Sequence, residues 1–169
     1  MKPIPFNRPY ASPLELANVA AAIQSRRLCG DGPFTKQAHA LLEARYGYPK
    51  VLLTPSCTDA LELSALLAGI GADDEVIVPA FTFVSSANAF VLRGAKIVFA
   101  DSEARTPNID AAEVARLVTP RTRAIVVVHY AGMCCDMEPI LKIAAAAGIP
   151  VIEDAAQAHA AQWEGRSVG

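Results

Sequence analysis

The feature that most constrains this chain is a set of apolar runs that do not alternate. EVIVP (75–79), KIVFAD (96–101), RAIVVVHY (123–130) and PVIED (150–154) carry hydrophobic residues in succession, and KVLLT (50–54) reads the same way. A strand with one wet face alternates apolar and polar side chains, whereas a strand covered on both faces does not. Between the runs lie CTDALELSALLAGI, ending at Gly71, FVSSANAFVLRG, closed by Gly94, a segment following Asp110, and MEPILKIAAAAG, ending at Gly148. These predict helices, with glycines as C-terminal stops and Asp110 as an N-cap. Five strands alternating with four helices predict an α/β domain, its sheet mostly parallel with helices on both faces and right-handed crossovers.

Upstream, SPLE (12–15) is a capping box with Pro13 in the first helical position, and predicts a helix to about Arg26. LCGDGPFT (28–35) reads as a glycine-rich loop, followed by a helix from about Lys36 to Tyr46 that stops at Gly47. The chain is therefore expected to divide into residues 1–48, two helices and a glycine-rich loop, and residues 49–169, the alternating strands and helices.

Composition narrows the function classes. The formal net charge is −2, which gives no general electrostatic case for binding nucleic acid or an anionic membrane. No apolar run approaches the roughly 20 residues of a membrane span. The opening residues, MKPIPFNRPYASPLE, lack the apolar centre of a secretion signal, so the expected location is the cytoplasm. Cys29, Cys57, Cys134 and Cys135 match no zinc spacing and are read as free thiols.

In an open α/β sheet, ligands bind beyond the carboxyl ends of the strands. After the first run comes TPSCTDA, where the helix start and the hydroxyls of Ser56 and Thr58 suit an anion. Plain N-capping by Ser56 or Thr58 is the competing reading, and Asp59 suits the helix dipole with no ligand at all. After the second run, Phe83 is either a ring that stacks on a flat ligand or a core residue. Asp101 follows the third run and His129 the fourth; His129 and His159 read first as hydrogen-bonded structural residues. After the fifth run, Asp154 could hold a pyridine nitrogen protonated, or serve in a turn. Glu153, on the opposite side of the strand, reads as a solvated or ion-paired acid. Together, a phosphate site, a stacking aromatic and an acid for a ring nitrogen describe one flat, phosphorylated ligand with a basic ring nitrogen.

The stretches LCGDGPFTK, VLLTPSCTDALELSALL, PAFTFVSSANAFVLRGAKIVFAD, VHYAGMCCDM and VIEDAAQAH…WEGRSVG resemble the sugar-nucleotide aminotransferases of the DegT/StrS type, over essentially the whole chain. The resemblance implies a type I pyridoxal-phosphate transferase fold, as in aspartate aminotransferase, and a homodimer. Residues 49–169 would then be the first part of the cofactor-binding large domain. It implies pyridoxal 5′-phosphate as cofactor, with Ser56, Cys57, Thr58 and Asp59 at its phosphate, the last through its backbone N–H. Phe83 would stack on the ring, Asp154 would pair with the ring nitrogen, and Gln157 would contact the hydroxyl side. Gly30, Asp31, Gly32 and Phe34 would shape the sugar-nucleotide site. Cys57 stands where such proteins often carry glycine or alanine.

The implied reaction converts dTDP-4-keto-6-deoxyglucose to dTDP-4-amino-4,6-dideoxygalactose, with L-glutamate as amino donor, for a cell-surface polysaccharide such as enterobacterial common antigen. The family's Schiff-base lysine lies C-terminal to the EDAAQ motif. Lys2, Lys36, Lys50, Lys96 and Lys142 match no such motif. The chain is therefore expected to be an N-terminal fragment, incomplete in its large domain and inactive alone. An inactive truncated product or pseudoenzyme, and a pyridoxal-phosphate-dependent sugar dehydratase, are the alternatives.

Overall fold

Ser12 and Glu15 build the helix start that their spacing predicts. In the computed structural model, which describes residues 3–5 and 7–169, Ser12 caps α1 (Pro13–Gln24). Its Oγ accepts from the Leu14 N–H at 3.3 Å, and Glu15 accepts from the Ser12 N–H at 2.7 Å. α2 (Pro33–Tyr46) begins at Pro33, not Lys36, with Gly32 as its N-cap. Proline suits the first helical position, because its missing N–H would have no partner there anyway. Phe34 and Thr35 are therefore helical and not part of the loop. Gly47 closes α2 in the left-handed region at φ 73°, a conformation that favours glycine. These elements form one compact unit that ends at Val51; Leu52–Gly169 form a second.

In the second unit the order is α3 (Cys57–Leu67), β1 (Glu75–Pro79), α4 (Ser85–Val91), β2 (Lys96–Ala100), α5 (Ala111–Leu117), β3 (Thr122–Val128), α6 (Met137–Ala147) and β4 (Val151–Asp154). The strands pair in the order β2-β1-β3-β4, every neighbouring pair parallel. Along β1 and β3 successive side chains enter opposite cores. Val76, Val78, Ala124 and Val126 pack with Leu61 and Ala65 of α3 and Ala89 and Phe90 of α4. Ile77, Ile125 and Val127 pack with Val114 of α5 and with Met137, Ile140 and Ala144 of α6. Both faces are covered, which is why the strand sequences show no alternation.

Two expectations fail. Residues 50–54, KVLLT, form no strand. A strand needs a neighbour for its main-chain N–H and C=O groups, and among the described residues neither edge, β2 or β4, takes this segment as a partner. Leu52 and Leu53 are accordingly exposed. Conversely, a short hairpin that the sequence reading did not anticipate joins β5 (Gln162–Trp163) to β6 (Arg166–Ser167). Its two turn residues, Glu164 and Gly165, both have positive φ, the geometry of tight hairpin turns. Among the described residues no helix is long and apolar enough to cross a membrane.

The sheet's amino-terminal end is held by a buried acid. Glu75 accepts from the Thr119 hydroxyl at 2.6 Å and from the Arg121 guanidinium at 2.7 Å, and pairs with Lys96 at 3.3 Å. The Thr119 bond and then the Arg121 bond hold its carboxyl down at about 2. The folded value lies below the unfolded one, so the network stabilises the fold above the ordinary carboxyl range. That contribution is lost as pH falls from about 4.5 toward about 2. Urea denaturation of Glu75→Gln should therefore show a stability deficit near pH 7 that shrinks across this window; a constant deficit from pH 7 to pH 3 would refute the network. Phe90 is fully buried in the α3–α4 core, and Phe90→Ala should lower stability by about 3–5 kcal/mol in the same assay.

Candidate functional site

The sheet order sets where a ligand can sit. From β1 the chain crosses to β2 on one side, and then returns past β1 to β3 on the other. A crevice opens beyond the strand ends where the direction reverses, here between β1 and β3. A cavity of about 270 Å³ lies there. Thr82 and Phe83 reach it from the segment after β1, and Val128 and Tyr130 from the end of β3. Asp154, Ala156 and Gln157 complete it from the end of β4. Phe83 is 71% exposed, which removes the reading of it as a core residue. Tyr130 is braced edge-on by Phe81, with ring centroids 4.8 Å apart.

Asp154 is the buried acid of this cavity, 7% exposed at the last position of β4. Three donors converge on it. The Ser86 hydroxyl donates to Oδ2 at 2.7 Å, the Ala156 N–H to Oδ1 at 3.1 Å, and the Cys57 thiol approaches Oδ1 at 3.7 Å. The Ala156 bond is the turn contact that aspartate commonly makes two residues on. The other two come from α4 and from the start of α3. Burial, and then the charge of Asp154, push the Cys57 thiol above its ordinary value. Among the described residues, no lysine, arginine or histidine forms an ion pair with Asp154.

The start of α3 shows the N-cap read from its sequence. Ser56 is the N-cap: its Oγ accepts from the Asp59 N–H at 3.1 Å and donates to the Asp59 carboxylate at 2.7 Å. The Asp59 N–H assigned to a ligand is thus engaged by Ser56 in this structure. The N–H groups of Cys57 and Thr58 are the first-turn donors with no partner inside the helix. The Thr58 hydroxyl donates to Ser85 Oγ at 3.0 Å, tying the starts of α3 and α4 together. Ser56, Thr58 and Asp59 do not line the cavity; Cys57 connects their turn to it through Asp154.

Gln157 lines the cavity, and its side-chain carbonyl accepts from the Ala131 N–H at 2.7 Å, which leaves its NH₂ to donate elsewhere. Ala131 and Gly132 both have positive φ. A Cβ on Gly132 would stand 3.3 Å from the main-chain carbonyl oxygen of Gln157, so this turn needs glycine. Asn108, which the sequence reading did not single out, is buried. It accepts from the Tyr130 N–H at 3.2 Å and donates to the Met133 carbonyl at 3.0 Å, fixing the loop that carries Tyr130.

His129 and Glu153 belong to the opposite face. The Cys135 N–H donates to His129 Nδ1 at 3.0 Å, so the ring proton sits on Nε2 and donates to Glu153 at 2.9 Å. Glu153 also accepts from the Gly169 N–H at 2.9 Å. The His129 bond is the main cause that draws the Glu153 carboxyl below its ordinary value. His129 is fully buried, with both ring nitrogens engaged by protein groups.

The glycine-rich segment lies in the first unit. Gly32 and Phe34 line a separate cavity there, of about 210 Å³, with Leu28 and Cys29. Asp31, at φ 57°, pairs with Lys36 at 3.7 Å, and Gly30 has open space on its Cβ side. Lys36, Lys50, Lys96 and Lys142 each pair with an acidic side chain, and none of them lines the Asp154 cavity. Lys2 lies outside the described residues.

The chain is similar to known aminotransferases in sequence and fold. Residues 9–169 match the model of the DegT/DnrJ/EryC1/StrS aminotransferase family. The chain is 47% identical over 126 residues to the 3-amino-5-hydroxybenzoate synthase of Amycolatopsis mediterranei, covering 75% of this chain and 32% of that protein. It is 48% identical over 112 residues to the GDP-perosamine synthase of Caulobacter vibrioides, covering 66% and 30%. The solved aminotransferase from Psychrobacter cryohalolentis superposes with a TM-score of 0.92 at 35% identity, over 98% of this chain and 42% of that one. The chain thus spans about a third of the length of these two curated relatives. The match extends from the first helices through the strand-end cavity, and the chain belongs to the DegT/DnrJ/EryC1/StrS aminotransferase family.

Proposed function

We propose that these residues form the cofactor-binding part of a pyridoxal-phosphate aminotransferase acting on a 4-keto-6-deoxy sugar nucleotide. The observation that carries this reading is Asp154: a buried carboxylate on the wall of a cavity, surrounded by neutral donors and paired with no described cation. A buried charge calls for a compensating one. Pyridoxal 5′-phosphate, the family's cofactor, fits this donor set because its ring nitrogen, when protonated, is such a cation. Once bound, it supplies an electron sink through the protonated ring.

Each side chain then has a task. Asp154 holds the proton on the ring nitrogen. Phe83, exposed at the cavity, presents a face for offset stacking on a flat ring. Gln157, its carbonyl held by Ala131, donates its NH₂ toward the ring hydroxyl. Ser56, Cys57, Thr58 and Asp59 receive the phosphate at the start of α3, where free N–H groups and the helix dipole favour an anion. The Asp59 N–H, which Ser56 Oγ accepts from in this structure, would be released by Ser56 to hold the phosphate. Gly30, Asp31, Gly32 and Phe34 shape the sugar-nucleotide site. Lys36, Lys50, Lys96 and Lys142 are each paired with an acidic side chain, and the covalent anchor is the lysine that the family resemblance places C-terminal to the EDAAQ motif.

For the substrate we propose dTDP-4-keto-6-deoxyglucose, converted to dTDP-4-amino-4,6-dideoxygalactose with L-glutamate as donor, in the cytoplasm. The working unit is a homodimer, and the product feeds a cell-surface polysaccharide such as enterobacterial common antigen. The motifs distributed along the whole chain support this choice, and the similarity to a GDP-perosamine synthase supports a nucleotide-linked substrate. An amination assay on the intact protein with dTDP- and GDP-linked 4-keto-6-deoxy sugars discriminates. Turnover of the dTDP sugar is expected; turnover of only the GDP sugar, or of a non-sugar ketone, would sink the substrate assignment.

Asp154→Ala in the intact protein should lower turnover by about 10²–10⁴-fold. Near-normal activity of that variant would remove Asp154 from the mechanism. The 169-residue chain alone, incubated with pyridoxal 5′-phosphate and reduced with borohydride, should yield no stoichiometric lysine adduct in peptide mass spectra.

A further inference from the structure

Ser86 is 1% exposed and lies in α4, in a segment whose sequence reads as ordinary helix. A serine buried in a helix commonly returns its hydroxyl to the backbone carbonyl four residues earlier. Ser86 does not. Its Oγ donates to Asp154 Oδ2 at 2.7 Å, and it contacts the hydroxyl of Thr82, the residue four positions earlier, at 2.8 Å. Thr82 in turn lines the Asp154 cavity.

A hydroxyl has one proton to give. With Asp154 ionised, Ser86 donates to Oδ2 and Thr82 must donate to Ser86. The chain then runs Thr82 to Ser86 to Asp154. With Asp154 protonated on Oδ2, every bond reverses: Asp154 donates to Ser86, and Ser86 to Thr82. The same three oxygens serve both arrangements, so the direction of the chain is tied to where one proton sits. On the other oxygen, Oδ1, the Ala156 N–H can only donate, which fixes that side as an acceptor.

We infer that Ser86, supported by Thr82, is a positioning residue that holds the Asp154 carboxyl group by Oδ2 in the orientation that meets the nitrogen of a bound pyridine ring, and thereby helps keep the proton on that nitrogen. This rests on the assignment of Asp154 as the ring-nitrogen partner. Neither hydroxyl touches the reacting atoms; they act through the carboxylate. Removing the Ser86 hydroxyl takes away the side-chain donor at Oδ2, and removing the Thr82 hydroxyl takes away the partner of Ser86.

The test uses the intact protein loaded with pyridoxal 5′-phosphate labelled with ¹⁵N in the ring. In the unaltered protein the ring nitrogen should resonate in the pyridinium range. Ser86→Ala should move it toward neutral pyridine, Ser86→Thr should restore it, and Thr82→Val should move it in the same direction by less. Ser86→Ala should also weaken binding of the cofactor by about tenfold, and leave binding of the analogue with carbon in place of the ring nitrogen unchanged. An unshifted resonance in Ser86→Ala, or in Thr82→Val should the former not fold, overturns the inference, as does an equal loss for both ligands. Asp154→Asn separates the two levels of the argument. If it shifts the resonance and Ser86→Ala does not, only the role of Ser86 fails; if it does not, the assignment of Asp154 fails as well.

Discussion

The hydrogen bond from the His129 N–H to the Asp154 carbonyl, 3.1 Å long, closes the last rung between β3 and β4. The cavity depends on the register it fixes. With Val127 opposite Glu153 and Val128 opposite Asp154, the two neighbouring acids project to opposite faces, as side chains of consecutive strand residues must. A slip of one residue would exchange them. Asp154 would then face the imidazole of His129 and Glu153 would face the hydroxyls of α4. The cores on both sides of the sheet are what prevent the slip, because Val151 and Ile152 of β4, packed against opposite cores, would have to trade places.

The environments of the two acids differ in kind. Glu153 meets an imidazole N–H and a main-chain N–H, and both are protein groups that satisfy it without a ligand. Asp154 meets two side-chain donors and one main-chain donor from three different segments, none of them charged, on the wall of an open cavity. A carboxylate so placed is well oriented but lacks a counter-charge. It is this asymmetry, more than burial alone, that makes Asp154 the candidate binding acid and Glu153 the structural one.

Much of this was readable in the sequence because it is local. The caps at Ser12, Ser56 and Asp110, the stops at Gly47 and Gly148, and the strand identities of β1 to β4 all rest on residues a few positions apart. What was missed is long-range. Residues 50–54 have a strand's composition, but a strand also needs a partner that no local pattern supplies. Ser86 sits 68 positions from the carboxylate it serves, and Asn108 is 22 from the backbone group it holds. Neither has a local signature: each is a small polar residue in an unremarkable context. Phe83 shows the converse, since its type was informative and only its exposure decided between two readings.

The loop contacts explain why the site tolerates being assembled from three strand ends and the start of α3. Each contributing segment is held by something other than the ligand. Thr58 and Ser85 tie α3 to α4, Asn108 fixes the turn bearing Tyr130, and the Gln157 carbonyl clamps Ala131. The geometry around Asp154 is thus set before any ring arrives, and binding does not have to supply the ordering of these loops. The exception is Ser56, whose hydroxyl occupies the Asp59 N–H that an incoming phosphate would need. That bond satisfies the helix end in the free chain, and under the proposed assignment it would be exchanged for a stronger, charged acceptor.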